Sequence, residues 1–402
     1  MNNNLRNDAI IIADYAINKV MPNTSVRDAL RFFNRPIGKT VMISIGKAAY
    51  LMAKEVLNHI KIDKGLIITK YKHAKETLDN TEVIEAGHPI LDENSLKAGK
   101  KAIEMVKDLQ AEDTLLFLVS GGGSALFEDS ELSLDELKDV NDQLIKSGAN
   151  INEINTIRKR LSKIKGGKLA KLAYPAKVFN IVLSDIINDP LDLIASGPTI
   201  NDNTTSKEAL AIFDKYNLSL SAKAKELLNY DGIKNLNNIE SYVAGNNTVL
   251  TMSAKQKALE LGYEVVYIEK PFVENIEEVK EILLKKYQEN KGKEKVAIIS
   301  GGEITVKVKG NGLGGRNQAL ALTIGKGLED NSAVLCIGSD GSDGPTDAAG
   351  AYIEKGMIDD TIDQYLQNDD SYHYCEKVGG LIKTGPTGTN VCDLYMILIN
   401  NS

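Results

Sequence analysis

Residues 114–127 read TLLFLVSGGGSALF. The apolar run Thr114–Val119 has strand length and is too short for an ordinary helix. It stops on Ser120, Gly121, Gly122, Gly123 and Ser124, and the chain then turns apolar again. Three consecutive glycines lose much conformational entropy on folding. A structural turn needs one or two glycines. A loop with three, flanked by serines, points to backbone N–H groups brought close to a ligand, as in an anion-binding nest.

The strand-then-turn pattern recurs on both sides of this stretch. Candidate strands are Thr40–Ile45, Gly65–Thr69, Glu82–Ala86, Lys177–Ser184, Ser241–Ala244, Glu264–Ile268, Val296–Ser300, Ile304–Val308, Ala333–Gly338 and Leu394–Ile399. Helical patterns lie between them at Ala48–Ile60, Glu93–Leu109, Asp135–Ser147 and Asn247–Leu261. Such alternation means βαβ units and a largely parallel sheet, so the fold class is α/β. A length of 402 residues fits two domains. The polar, turn-rich segment 230–240 separates an N-terminal domain, 1–235, from a C-terminal one, 240–402.

Composition narrows the function. Apolar residues make up 43% and charged residues 26%, as in ordinary soluble proteins. The net charge of −7, the absence of Trp and the 5% aromatic content leave no basic face and little for base stacking, so no nucleic-acid partner is expected. Cys336, Cys375 and Cys392 are scattered, without CxxC spacing, and fit a reducing compartment. The N-terminus reads as an amphipathic surface helix rather than a signal peptide, and no segment approaches ~18 uninterrupted apolar residues. The expected location is the cytoplasm, with no membrane partner.

Small and polar residues cluster at the C-terminal ends of the candidate strands, where open α/β sheets bind ligands. Gly46 and Lys47 follow the first strand, and a Lys at a helix start favours phosphate or carboxylate. The segment 154–170 carries Arg158, Lys159, Arg160, Lys163, Lys165 and Lys168, which as a helix face reads most simply as solvated. In VLSDIINDPLDLIASGPT, 182–199, Asp185 and Asp189 sit just past a strand, where carboxylates can hold Mg²⁺; turn and N-cap roles are the competing reading. Gly301, Gly302 and Glu303 follow another strand, and Gly310, Gly312, Gly314 and Gly315 lead into Arg316, Asn317 and Gln318 at a helix start, an oxyanion-binding arrangement. Asp340, Asp343 and Asp347 follow a further strand, and Thr389 and Asn390 lie in a last hydroxyl- and Gly-rich turn.

Standard signatures are missing. Phe33 stands where a Walker A loop ending in Gly38, Lys39 and Thr40 needs its first glycine, and GNGLGG lacks the acidic ribose partner of a dinucleotide site. There is no HExxH, GxSxG or kinase HRD/DFG set. His88, followed by Pro89, reads as a turn residue as readily as a catalytic one; His59, His73 and His373 read as surface residues.

In order, GKAA, AGHPILDENSLKAG, VSGGGSALF, IRKRLSKIKGGKLA, SDIINDPLDLIASGPT, SGGEITVKVKGNGLGGRNQ, GSDGSDGPTDAAGA and TGPTGTNVCDL run from Gly46 to Leu394. Together these segments resemble the glycerate 2-kinase family, the class II glycerate kinases with a C-terminal MOFRL domain. The resemblance implies a Rossmann-like N-terminal domain, a smaller α/β C-terminal domain with its MOFRL-type region over about 295–400, and an active site in the cleft between them. It implies ATP-dependent phosphorylation of D-glycerate at the C2 hydroxyl. On this sequence Lys47 and Arg316 become the catalytic basic pair, joined by Asp185. Ser120, Gly121, Gly122, Gly123, Ser124, Lys165, Gly312, Gly314 and Gly315 become the nucleotide and phosphate set. Lys47, Arg158, Asn317, Asp340, Asp347, Thr389 and Asn390 become the substrate set. Mg²⁺ is expected on Asp185, Asp189 or Glu303, and a homodimer is an expected assembly.

The sequence departs from the family pattern at Arg160, where His is common, at Asn188 and Pro190, which replace Gly and Asp, and at Ser339, which replaces Thr. Phosphoryl transfer needs positioning and charge neutralisation more than a special nucleophile, which these loops can supply. The competing enzymatic reading is an NAD(P)H-dependent hydroxypyruvate reductase, and it lacks a convincing dinucleotide site. A ligand-binding module without catalysis would not need basic residues set against acidic ones across several glycine loops.

Overall fold

The computed structural model describes residues 3–402. Its strands are β1 (Thr40–Ile45), β2 (Lys64–Lys70), β3 (Thr81–Ala86), β4 (Thr114–Val119), β5 (Lys177–Leu183), β6 (Ile239–Gly245), β7 (Glu264–Tyr267), β8 (Lys295–Gly302), β9 (Ser332–Gly338), β10 (Gly350–Glu354), β11 (Leu381–Ile382) and β12 (Asp393–Asn400). The chain divides into two compact units. One, the parallel-sheet unit, contains Ser25–Ser184 and Asn188–Ala244; the other, the mixed-sheet unit, contains the residues up to Thr24, Asp185–Ile187 and Gly245–Ser402.

The parallel-sheet unit carries the order β3-β2-β1-β4-β5-β6, with β1 to β5 paired in parallel. β1 and β4 are buried along their whole length, as expected of central strands covered by helices on both faces. The helix Glu93–Val106 starts at an Asp92 capping box, and Leu134–Lys146 starts at one made by Ser133 and Glu136. The N-terminal boundary of each helix is therefore marked by local chemistry.

The alternation predicts a largely parallel sheet, which describes the first unit; the sheet of the mixed-sheet unit is mostly antiparallel. Its order is β11-β10-β9-β12-β8-β7. β12 runs antiparallel to both β8 and β9, β9 is antiparallel to β10, and β7–β8 alone is shown parallel. The last strand of the chain is thus at the buried centre of the sheet, every residue of it buried. Ile304–Val308 is not a strand: Thr305 makes only an isolated bridge to Asn275. The N-terminal helix Asn3–Val20 packs on the helix Asn247–Glu260 in this unit. Leu5, Ala9, Ile12, Ala16 and Val20 join its core, so one face of that helix is core rather than surface. Among the described residues no helix is long and apolar enough to cross a membrane.

Candidate active site

In the parallel-sheet unit the strand order reverses between β1 and β4, and a crevice for ligands opens at the carboxyl ends of strands at such a switch point. Gly46 follows β1 with φ +112°, and a Cβ there would lie 2.3 Å from Ser120 Oγ, so only glycine lets the two loops close. Lys47 N donates to Gly121 O at 2.9 Å, and Ala48 N donates to Ser120 Oγ at 3.1 Å. Gly122 (φ +89°) then opens a single helical turn, Gly123–Leu126, whose first N–H groups have no intrahelical acceptor. Lys47 and His88 flank Gly122: a Cβ on it would be 3.3 Å from Lys47 Cγ and 3.1 Å from His88 Nε2. Among the described residues, half-buried Lys47 has no ion-pair or side-chain hydrogen-bond partner that would tie up its ammonium.

Beside this loop lies a cavity of about 190 Å³, lined among others by His88, Gly122, Ser124, Glu128, Arg158 and Lys165. Lys165 is buried; its ammonium donates to Ser124 O at 2.7 Å and to Glu128 Oε2 at 2.5 Å. These bonds tie its ammonium to the glycine loop and to Glu128, and burial pushes its pKa down. The His88 imidazole is held neutral, pushed down to about 4 by burial and by the nearby Lys47, Lys70 and His73 charges.

The basic segment is not a solvated face. Lys159 and Arg160 are buried and meet Asp202, Lys159 at 3.5 Å and Arg160 NH1 at 2.7 Å, with Lys159 also 2.9 Å from Asp192. Lys168 donates to the carbonyls of Lys159, Arg160 and Ser162, closing the C-terminus of the helix Ile151–Leu161. Burial, with Arg160 nearby, lowers its pKa to about 8. Periodicity reports which residues share a face, but it does not show that the face meets a buried carboxylate.

Across the loop, Ala195, Ser196 and Gly197 all have left-handed backbone, with φ of 51°, 60° and 59°. Two non-glycine residues held this way mark a place where the surroundings dictate conformation. Ser196 Oγ donates to Asn155 Oδ1 at 2.6 Å and lies 3.4 Å from Ser124 Oγ, coupling the strained turn to the SGGGS loop.

In the mixed-sheet unit Arg316 opens the helix Arg316–Gly325. Its guanidinium grips Asp393 with two bonds, Nε to Oδ2 at 2.6 Å and NH2 to Oδ1 at 3.1 Å, while NH1 reaches Glu303 Oε1 at 3.1 Å. Burial opposes the charge, but Asp393 outweighs it and raises the Arg316 pKa. The expected oxyanion site in the glycine loop is largely occupied from within. Asp343 accepts from Asn317 N at 3.0 Å and Gln318 N at 2.8 Å, capping the helix. Gly310 N and Gly312 N donate to Asp369 Oδ2 and Asn368 O, and Leu313 N to Asp370 Oδ1. The N–H groups of Gly310, Gly312 and Leu313 are thus engaged, a buried carboxylate sits at the helix start, and Asn317 is tied to Asp343.

Asp185 and Glu303 come together at Cys392, whose Sγ lies 3.3 Å from Asp185 O and 3.9 Å from Glu303 Oε2. Asp189 sits in a left-handed turn, φ 51°. No three His, Cys, Asp or Glu among the described residues converge as a metal cage. Mg²⁺ needs only one or two carboxylates beside phosphate oxygens and water; besides burial, the charges of Glu303, Asp393 and Asp185 push the Cys392 thiol pKa up, so both Glu303 and Asp185 bring negative charge to this corner. Asp340 Oδ1 accepts from Ser342 N at 2.9 Å, holding its own loop. Asp347 is exposed and engaged by Tyr372 and Lys383, and Thr389 Oγ1 donates to Val20 O at 2.8 Å, at the end of the N-terminal helix. Asn390 Oδ1 accepts from Cys392 N at 3.3 Å.

Two family models match this chain, "Domain of unknown function (DUF4147)" over residues 8–229 and "MOFRL family" over 296–393. The D-glycerate 2-kinase of Thermotoga maritima is 42% identical, with 98% of each chain covered. The chain belongs to the glycerate 2-kinase family. Within that family the glycerate 2-kinase of Pyrococcus horikoshii is 36% identical over 90% of this chain and 88% of its own. A solved structure of a Thermotoga maritima glycerate kinase superposes with a TM-score of 0.94 at 40% identity, covering 99% of this chain and all of that one.

Seen as a glycerate 2-kinase family chain, its departures have local explanations. Arg160 is a buried partner of Asp202. Asn188 takes a left-handed conformation that Asn tolerates better than most side chains, φ 68°. Ser339 Oγ accepts from Val391 N at 2.8 Å, joining two site loops. His88, which the sequence reads as a turn residue as readily as a catalytic one, is brought by folding against Gly122.

Proposed function

We propose that this protein transfers the γ-phosphoryl group of ATP to the C2 hydroxyl of D-glycerate, giving 2-phosphoglycerate and ADP. The observation that carries this reading is the uncommitted Lys47 ammonium beside the SGGGS loop at the β1/β4 switch point, in a chain of the glycerate 2-kinase family. The new bond joins the C2 oxygen to phosphorus, the bond from phosphorus to the ADP oxygen breaks, and the hydroxyl proton goes to a carboxylate, for which Asp185 is the candidate.

Lys47 neutralises charge on the transferring group, and backbone N–H groups of Gly121 to Ser124 cradle phosphate oxygens. Arg316, fixed by Asp393 and Glu303, presents a permanent positive charge from a rigid mount. Asp185 and Glu303 would hold Mg²⁺, with Asp189 nearby in sequence, and the bound ion would supply neutralisation of the polyphosphate. Asp340 and Asn390, which stay accessible in part, are the better candidates for substrate hydroxyls than Asp347 or Thr389. The reading gives the protein small-molecule partners only, a cytoplasmic location, and a homodimer to be checked by light scattering.

The test is ADP release coupled to NADH oxidation, with ATP and Mg²⁺ present and D-glycerate added last. Glycerate-dependent ADP formation supports the reading. A rate equal to that without glycerate overturns it.

A further inference from the structure

Two carboxylates aim Arg316, and one buried hydroxyl touches the supports of both. Tyr395 lies on β12 two residues after Asp393, so the two side chains share a face of the sheet. In the ladder Tyr395 sits opposite Ser300 of β8 and Cys336 of β9, and its side chain is fully buried. Its hydroxyl donates to Asp393 Oδ2 at 3.1 Å, the oxygen that also accepts from Arg316 Nε at 2.6 Å. The same hydroxyl accepts from Ile304 N at 3.4 Å. Ile304 directly follows Glu303, whose carboxylate accepts from Arg316 NH1.

A tyrosine hydroxyl has one proton to give and lone pairs to receive, and both uses are filled here. Burial, with the Asp393 charge adding to it, pushes the Tyr395 pKa up, so the group stays a donor. Burial also pushes the Asp393 carboxyl up, opposed by Arg316, Asn317 and Tyr395. A buried carboxylate needs its oxygens satisfied if it is to keep its charge. The Arg316 side chain is 34% exposed, so water competes for its donors and its direction depends on the grip of Asp393.

From this we infer that Tyr395 is a positioning residue for phosphoryl transfer: its hydroxyl ties Asp393 to the backbone beside Glu303 and so fixes the direction of the Arg316 guanidinium. The inference rests on the kinase reading and extends it to a residue buried behind the charged surface. The hydroxyl carries the role, because phenylalanine would keep the packing of the ring. Fixed charge counts most where charge develops in the transition state, so loosening Arg316 lowers kcat more than it raises KM.

Steady-state kinetics of the full chain with Mg-ATP and D-glycerate test this in two backgrounds. Tyr395→Phe is expected to lower kcat ~10-fold, the worth of one hydrogen bond to a charged group, with both KM values within ~twofold of wild type. In Arg316→Lys, which cannot make the two-bond grip, adding Tyr395→Phe is expected to lower kcat by less than ~twofold. A hydroxyl that only stabilised the fold would cost the same in both backgrounds. Tyr287→Phe is the control: Tyr287 is equally buried in this unit, and its hydroxyl accepts from Glu329 N at 3.0 Å and lies 3.1 Å from Ser332 Oγ. Its removal should leave kcat unchanged. Equal losses in the two backgrounds, a loss matched by Tyr287→Phe, or an unchanged kcat in folded Tyr395→Phe each overturn the inference.

A second arm needs no catalysis. The Arg316 Nε–H signal, identified by its absence in Arg316→Lys, is followed by NMR of the nitrogen-15-labelled protein. Its proton is expected to exchange with water at least ~10-fold faster in Tyr395→Phe than in wild type. If Tyr395→Phe fails to fold by circular dichroism, the Tyr395 hydroxyl proton of the wild type carries the test, and it should exchange slowly and shift in Arg316→Lys. If the wild type shows no glycerate kinase activity yet these changes appear, the kinase reading fails and the hold of Tyr395 on Arg316 stands. Equal exchange rates, or a hydroxyl proton unmoved in Arg316→Lys, overturn that hold.

Discussion

The Asp343 carboxylate occupies the space that a side chain on Gly315 would need. A Cβ at 315 would lie 2.2 Å from Asp343 Cγ and 2.3 and 2.4 Å from its two oxygens. Because Asp343 also accepts from the N–H groups of Asn317 and Gln318, this contact sets where the helix bearing Arg316 begins. Gly315→Ala is expected to displace Asp343 and lower stability by roughly 1–3 kcal/mol, the usual cost of overpacking. Activity should fall with it. Gly356→Ala, at a position with open space around it, is the matched control and should leave the melting temperature nearly unchanged.

Asp343 also makes a pH prediction. Burial pushes its carboxyl up to about 6, with Asp393 adding to the rise and the two N–H donors and Arg316 opposing it. Between about 4, its unfolded value, and 6, the folded chain holds the proton more tightly than the unfolded chain does. This group's contribution to stability is therefore largest below pH 4 and declines as pH rises through 6. The melting temperature of wild type minus that of Asp343→Asn should fall between pH 4 and 6 and flatten above, which thermal scans across that range would record.

Lys47 and Arg316 should respond differently to removal, although both are assigned to the reaction. Arg316→Ala strands Asp393, a fully buried carboxylate, and is expected to cost about 3–5 kcal/mol of stability as well as activity. Lys47→Ala removes an ammonium that has no ion-pair partner among the described residues, so activity should drop ~100-fold or more while stability stays within ~0.5 kcal/mol. Urea denaturation alongside turnover separates the two cases.

Lys165 is predicted to act through structure. Lys165→Met leaves Glu128 buried without its partner and should destabilise the protein by about 3–5 kcal/mol. Adding Glu128→Gln should recover a large part of that loss. A single variant as stable as wild type would contradict the assignment of Lys165 as a strut beneath Ser124.

Much of the parallel-sheet unit was legible because its signals are local. Buried strands such as Thr114–Val119 appear as apolar runs, and the residues that terminate them, Gly46 and Ser120–Ser124, are those that close the crevice. What escaped depends on contacts distant in sequence. The antiparallel placement of β12 between β8 and β9 is a pairing across many residues, and no periodicity encodes it. Ile304–Val308 has strand composition but no neighbouring strand to complete a ladder. The glycine run before Arg316 reads as an anion site until the Asn368–Asp370 segment, more than fifty residues on, is seen to accept its N–H groups. Lys159 and Arg160 read as solvated because Asp202, which buries them, lies on a separate loop.

The most direct measurement incubates the protein with D-glycerate, ATP and Mg²⁺ and follows the products by phosphorus NMR. The predicted result is a 2-phosphoglycerate resonance growing as ATP is consumed, and absent with a Lys47→Ala variant shown to be folded. Phosphorylation at C3, no glycerate ester at all, or full activity in folded Lys47→Ala would each contradict the account.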